Sequence, residues 1–488
     1  MTKKGITLLG LGPGNSAQLT RQAWEILTSA DEIYLRTAQH PVVDDLPSGI
    51  RLHDFDQVYQ EKENFEQVYQ VIIEKIMEMG RLDQGVIYAV PGHPFIAEAT
   101  APEIYRLAKE EGIPVTVVDG LSFLEPAFSA LGLDPLPNTA IVDALTLSSQ
   151  YSPGFPPDSP ALIAQIYSQH VASETKLTLM AQYPDEHPVK LIHAAGTDQE
   201  IIEEIPLFAL DQSEQIGLLT CLYLPPLAPA SSFEGFQALI AHLRSSEGCP
   251  WDQEQTHQSL RSNLLEEAFE AVTAIDLDDV DGMREELGDL LLQVVLQTQI
   301  AAEDGEFSMA EVINGIHTKL VHRHPHVFGE MDLDDADEVI QNWERIKANE
   351  RDENGQEEKG LLDGIPIAMP ALSVAEKYQN RAARVGFDWP TLEGVLEKLE
   401  EEIGELREAK SFEDQSEELG DLIFALVNLA RWLKVDPETA LRETNQKFLK
   451  RFKAIERAAR ARGIQLMDMS LEEMDLIWEQ SKKGKQVD

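Results

Sequence analysis

The hexamer EELGDL occurs twice, at residues 285–290 and 417–422, and each copy runs into a long apolar stretch, DLLLQVVLQTQIA and DLIFALVNLARWL. A Glu and an Asp three positions apart share one face of a helix. Against so much apolar surface those carboxylates are costly to desolvate unless a counter-charge meets them. The chain must therefore fold into helices that supply a partner for buried acid, and must do so twice.

Other segments follow the same duplication. LEEAFE (265–270), KLVHR (319–323) and NWERIK (342–347) are answered in order by LEEEIGE (399–405), KFLKR (447–451) and IWEQSKK (477–483). Four ordered matches make a repeat the better reading than chance among Glu-rich helices. Within each repeat EExxE precedes ExxD, with 15 residues between Glu270 and Glu286 and 12 between Glu405 and Glu418. That spacing suits two antiparallel helices whose acidic faces meet.

Four carboxylates that close disfavour one another's ionisation. A hard divalent cation bound by oxygen, Mg²⁺ above all, is the natural neutraliser. Lys447 and Arg451, four apart on one helix face, are placed to hold phosphate oxygens beside it. The competing reading of any Glu run is a solvated acidic face, but here apolar residues surround ELGD. The histidines of HTKLVHRHPHVFG (His317, His322, His324 and His326) lack a thiolate and the HExxH spacing, which argues against a zinc site there.

A chain of 488 residues exceeds one core, and two to four domains are expected. The 40 Lys and Arg against 86 Asp and Glu leave a net charge of −46, which argues against a nucleic-acid partner. Two cysteines, Cys221 and Cys249, and no CxxC exclude a disulfide framework and a thiolate zinc site, and fit a reducing cytoplasm. Glycines and a proline interrupt the apolar start ITLLGLGPG, no cleavage pattern follows, and no run of 18 apolar residues exists. The expectation is a soluble, cytoplasmic protein without a membrane partner.

Residues 1–225 alternate β-branched runs (ITLLGLG, GVIYAV, IPVTVVDG) with helical stretches (AQLTRQAWEIL, FEQVYQVIIEKIMEM, AEATAPEIYRLAKEEG), which predicts an α/β domain. LPPLAPASS (224–232) reads as a linker. Thereafter the period is 3.6, giving an all-α region of two repeats, 226–348 and 371–488, joined by a charged, then Gly/Pro-rich linker at 349–370.

The helical half resembles the MazG family of nucleoside triphosphate pyrophosphohydrolases, on the doubled EExxE…ExxD together with CPWD (249–252), RHPHVFG (323–329) and RAARVGFDW (381–389). The resemblance implies Mg²⁺-dependent conversion of NTPs or dNTPs to the monophosphate and pyrophosphate. It places metal ligands at Glu402, Glu405, Glu418 and Asp421 of the second repeat and at Glu267, Glu270, Glu286 and Asp289 of the first. It implies nucleotide contacts from Lys447, Arg451 and Trp478, with Lys319 and Arg323 as the first-repeat counterparts, and ranks the second repeat first as catalyst. Glu401 or Glu402 would orient the attacking water. Members can carry a lysine just before ExxD, whereas here SFEDQSEELGD has its nearest lysine at Lys410. The family forms dimers, so a homo-oligomer is expected.

Residues 1–225 resemble the tetrapyrrole methylase family, on GLGPGNSAQLT (10–20), VPGHPFIAEA (90–99) and VVDGLSFLEPAFSALGL (117–133). That likeness implies S-adenosylmethionine bound between two α/β subdomains and lined by Gly12, Pro13, Val90, Gly92, His93 and Leu121. The family's usual Gly-Asp-Pro is here Gly92-His93-Pro94. The fusion in this order resembles the YabN-type bifunctional family. An alternative makes methyl transfer the main activity and the helical half regulatory or oligomerising; two intact acid quartets argue against it.

Overall fold

The computed structural model describes residues 5–331 except Glu63 and residues 360–482 except Ile367, with eight further positions between 331 and 360. Half of the 349–370 linker, and Glu344 and Lys347 of NWERIK, lie outside the described residues. The chain divides into two compact units between Glu254 and Gln255. The helices Phe233–Arg244 and Pro250–Gln253, beyond the proline-rich stretch, go with the first unit.

In the first unit the three apolar runs become parallel strands β1 (Ile6–Gly10), β4 (Val86–Val90) and β5 (Val115–Val118). With β2 (Glu32–Leu35) and β3 (Arg51–Asp54) they make an all-parallel sheet of order β3-β2-β4-β1-β5. The central strands carry apolar residues on both faces because helices must cover both faces of a parallel sheet. Phe65–Gly80 and Thr100–Glu111 bury Ile72, Ile76 and Ile104 with Leu8 and Tyr88. Each such side chain contributes about 1.5–3 kcal/mol. The Arg21–Ser29 helix begins where Thr20 caps it, its hydroxyl accepting from the Ala23 N–H at 3.2 Å.

A second sheet follows in the same unit. It consists of β6 (Ala140–Asp143), β7 (Ala161–Ala164), β8 (Pro188–His193), β9 (Ile201–Pro206) and β10 (Thr220–Leu224), in the order β6-β7-β10-β8-β9. Only β6 and β7 pair in parallel within it. Among the described residues no strand follows Leu224, and no helix is long and apolar enough to cross a membrane.

The second unit is helical. Arg261–Asp276 and Val280–Glu303 pack together across a three-residue turn, as do Leu392–Glu408 and Phe412–Trp432. Turns that short return the chain along itself, so each pair is an antiparallel hairpin. Capping sets the turns: Asp279 accepts from Gly282 N–H, and Ser411 forms a capping box with Asp414. Two further helices, Pro437–Arg462 and Leu471–Lys482, complete the second repeat. Arg442 of the first of these donates from Nε to Asp276 at 2.5 Å, tying a second-repeat helix to a first-repeat one.

Candidate functional site

Each hairpin gathers its glutamates at the seam. One carboxylate oxygen from each of Glu402, Glu405 and Glu418 lies within 4.8 Å of the others, and the same holds for Glu267, Glu270 and Glu286. Asp289 and Asp421 fall outside these trios, one turn further along the same helices. Removal from water, followed by the charges of Glu405, Glu402 and Asp421, raises the Glu418 carboxyl above its usual range. Desolvation and the neighbouring acids raise Glu267 and Glu286 in the same way.

The trios differ in one respect that bears on cation binding. Glu402 is 4% exposed, and its Oε2 is buried without a hydrogen-bond partner. Its Oε1 accepts from Lys398 Nζ at 2.7 Å, and the same ammonium reaches Glu401 Oε1 at 2.9 Å. A buried carboxylate with one unpartnered oxygen, grouped with two more carboxylates, is the donor set that a hard divalent cation takes. In the sequence the one signal for Lys398 is its position four residues before Glu402. Glu401 lies outside the trio and is exposed.

The basic residues also differ between repeats. Arg451 stacks over the Trp478 ring at 5.4 Å, Phe448 meets that ring edge-on at 5.2 Å, and Lys447 is exposed with Glu443 at 3.6 Å. In the first repeat Lys319 is exposed. Arg323, however, is held by Glu350 at 2.6 Å, and His322 shares that carboxylate at 3.0 Å. Arg323 pulls the Glu350 carboxyl down to about 2. Among the described residues the histidines of the RHPHVFG turn join no metal-competent cluster.

In the first unit the loops after β1, β4 and β5 touch backbone to backbone. Gly12 and Gly92, at φ of +73° and +65°, exchange hydrogen bonds of 3.1 and 2.8 Å. Gly12, Pro13 and Val90 are buried, and Leu121 is partly so. His93 Nδ1 accepts from Phe95 N–H at 3.0 Å, and its Nε2 lies 3.3 Å from Asp119.

A cavity of about 1020 Å³ opens beside these loops. His40 lines it at 5% exposure, its ring beside the Gly12 backbone. Burial pushes this imidazole down to about 4, against the weaker upward pull of the Gly12 backbone. The folded state therefore resists protonation. The contribution of His40 to stability is complete above about 6.5 and is lost as the pH falls from there toward 4. It amounts to about 3 kcal/mol at most. His40→Leu is expected to flatten the decline in melting temperature across that window, as pH-stepped thermal denaturation would register.

Comparison with known proteins agrees with this architecture. A model of the MazG nucleotide pyrophosphohydrolase domain matches residues 255–328 and 391–455, and one of tetrapyrrole (corrin/porphyrin) methylases matches residues 5–211. The nucleoside triphosphate pyrophosphohydrolase/pyrophosphatase MazG of Thermotoga maritima is 46% identical over 252 residues, which is 52% of this chain and 96% of the relative. The chain belongs to the MazG family. The Escherichia coli K12 nucleoside triphosphate pyrophosphohydrolase is 45% identical over 251 residues, 50% of this chain and 95% of its own. The methylase-like domain preceding the MazG half is shared with the uncharacterized protein YabN of Bacillus subtilis, 43% identical over 98% of both chains.

Proposed function

We propose that the helical unit hydrolyses nucleoside triphosphates to monophosphate and pyrophosphate, and that the Glu402–Glu405–Glu418 trio is the working site. The observation that carries this reading is the buried, unpartnered Oε2 of Glu402 beside two further carboxylates. Bound there, Mg²⁺ would neutralise the triphosphate and polarise the attacked phosphorus. Asp421 completes the acidic wall. Glu401, outside the trio and exposed, orients the attacking water in line with the phosphorus. Lys447 and Arg451 draw in phosphate oxygens, and Trp478, steadied by Phe448, offers a flat face to the base.

Engagement of Arg323 by Glu350 makes the first repeat the weaker candidate for turnover. In the first unit the touching loops of Gly12, Gly92 and Leu121 would receive S-adenosylmethionine through backbone groups. The setting proposed for both activities is the cytoplasm.

The test is pyrophosphate release from a panel of NTPs and dNTPs with and without Mg²⁺. The expected result is Mg²⁺-dependent release with monophosphate as coproduct. No release from any nucleotide would overturn the reading and leave the methylase-like domain as the source of activity.

The helical unit also presents an unpartnered apolar stripe in both repeats. Leu287, Leu291 and Val294 are 50, 41 and 40% exposed, and their counterparts Leu419, Ile423 and Leu426 are 49, 42 and 49% exposed. These residues sit at i, i+4 and i+7, the pattern of a helix face that packs on another. A second copy of the chain is the proposed partner. Light scattering is expected to give about twice the chain mass of 54.5 kDa, and a monomer mass would contradict it.

A further inference from the structure

A chain with a net charge of −46 repels the substrate proposed for it, because a triphosphate is a polyanion even with Mg²⁺ bound. One stretch runs against that background. KFLKRFKAIERAARAR (447–462) holds seven Lys and Arg and one Glu, a local charge of +6. It forms the C-terminal part of the helix Pro437–Arg462, the element that also supplies Lys447 and Arg451. The corresponding stretch of the first repeat, KLVHRHPHVFGEMDLD (319–334), holds two Lys and Arg against three Asp and Glu. Both copies have the KxxxR pair, but the basic continuation belongs to the second alone.

Helix geometry turns the run into a stripe. Lys450, Lys453, Arg457 and Arg460 follow one another at intervals of three, four and three residues, so they share one face. All four are exposed, while Ile455 and Ala459 face inward at 3% exposure each. Exposed cations on other helices sit beside acids: Arg21 bonds to Glu25, Lys75 to Glu78 and Arg284 to Asp281. In this segment the ion pairs fall at the two ends, Lys447 with Glu443 at 3.6 Å and Arg462 with Glu473 at 3.7 Å. Among the described residues the four stripe cations have no ion-pair partner. Arg457 Nε donates to the Lys453 carbonyl at 3.2 Å, which leaves its charge unopposed.

Neighbouring stripe cations are about 5 Å apart along the helix axis. That is inside the Debye length of about 8 Å at physiological ionic strength. Their fields therefore add into one positive strip, about 20 Å long from Lys447 to Arg460. A field of one sign on the approach to a charged site raises the encounter rate by about 10- to 10³-fold.

We propose that this stripe is an electrostatic lane, which draws the phosphate tail of a nucleoside triphosphate through the repulsive field of the chain and delivers it to Lys447 and Arg451. The proposal rests on the reading of the second repeat as the working site. It concerns the rate of arrival of the nucleotide and not the grip of the bound state.

Stopped-flow association of a fluorescent α,β-methylene nucleoside triphosphate, which cannot be split between its first two phosphates, tests this on the full-length protein with Mg²⁺ present. At about 20 mM salt the triple variant Lys453→Gln, Arg457→Gln, Arg460→Gln is expected to associate about ten-fold more slowly, with dissociation unchanged within about two-fold. At about 0.5 M salt, where the Debye length shrinks to about 4 Å, variant and parent should converge. Glutamine keeps the helix propensity of these positions, and Lys453→Gln alone should slow association about two-fold. Lys75→Gln, Arg81→Gln, Arg106→Gln makes the same change in net charge within the first unit and should leave association at the parental rate. Parental association in the triple variant, equal slowing in the first-unit variant, or a loss that persists at high salt would each overturn the proposal. So would capture of a single-stranded oligonucleotide by the parent and not by the triple variant, which would assign the stripe to nucleic acid. Absence of pyrophosphate release in the parent would take the underlying reading down with the lane, whereas release with matching association rates would remove the lane alone.

Discussion

Glu402→Gln is expected to lower pyrophosphate release about 10³-fold, because a catalytic cation supplies several kcal/mol and each 1.36 kcal/mol is a decade of rate. The substitution keeps the side chain's length and the oxygen that Lys398 holds at 2.7 Å. What it removes is the charge behind the unpartnered Oε2. A neutral amide there also relieves the mutual repulsion that raises Glu418. Melting in EDTA should therefore be no lower than that of the parent, within about 3 °C. Glu267→Gln, the matching change in the first repeat, should retain most of the turnover. Parental rates in Glu402→Gln would remove this trio as the working site, whereas loss of fold would show that Glu402 is structural.

Gly120→Ala should unsettle the first unit and spare the second. A Cβ at Gly120 would stand 2.3 Å from the Gly92 carbonyl oxygen and 2.9 Å from the Gly10 carbonyl carbon. Both neighbours are main chain at the ends of β4 and β1, so neither can turn aside as a side chain would. Overpacking of this kind costs about 3 kcal/mol, and here it falls on the three loops that meet at the cofactor positions. Because the helical unit is compact in its own right, pyrophosphate release should persist. Scanning calorimetry should show one transition lowered. An unchanged thermogram would mean that the loops part more easily than their close contact implies.

Much of this is legible in the sequence. The doubled EExxE…ExxD announced two helical hairpins with acids at the seam, and both repeats fold so, since helix periodicity and capping residues act locally. The strands ITLLGLG, GVIYAV and IPVTVVDG were legible because buried parallel strands are apolar on both faces. The second sheet was harder to read. Runs such as ALIA (161–164) are short, and what pairs them with TCLYL (220–224) is sequence-distant packing that no local pattern announces. For the same reason nothing near Arg323 in sequence discloses that Glu350 takes its guanidinium. The burial of His40 is likewise a property of the cavity, and a histidine before a proline carries no mark of it.

The bond between Arg442 and Asp276 has a bearing on how the duplicated half can be handled and how it can change. Side-chain exposures of 33 and 16% put this charge pair partly inside the helical unit, with one partner in each repeat. Cutting the gene at the linker would give two polypeptides, each without the partner that its charge has in the intact unit. The copies therefore resist being harvested as separate modules. A neutral residue at either position would leave the other charge without its partner across the repeats.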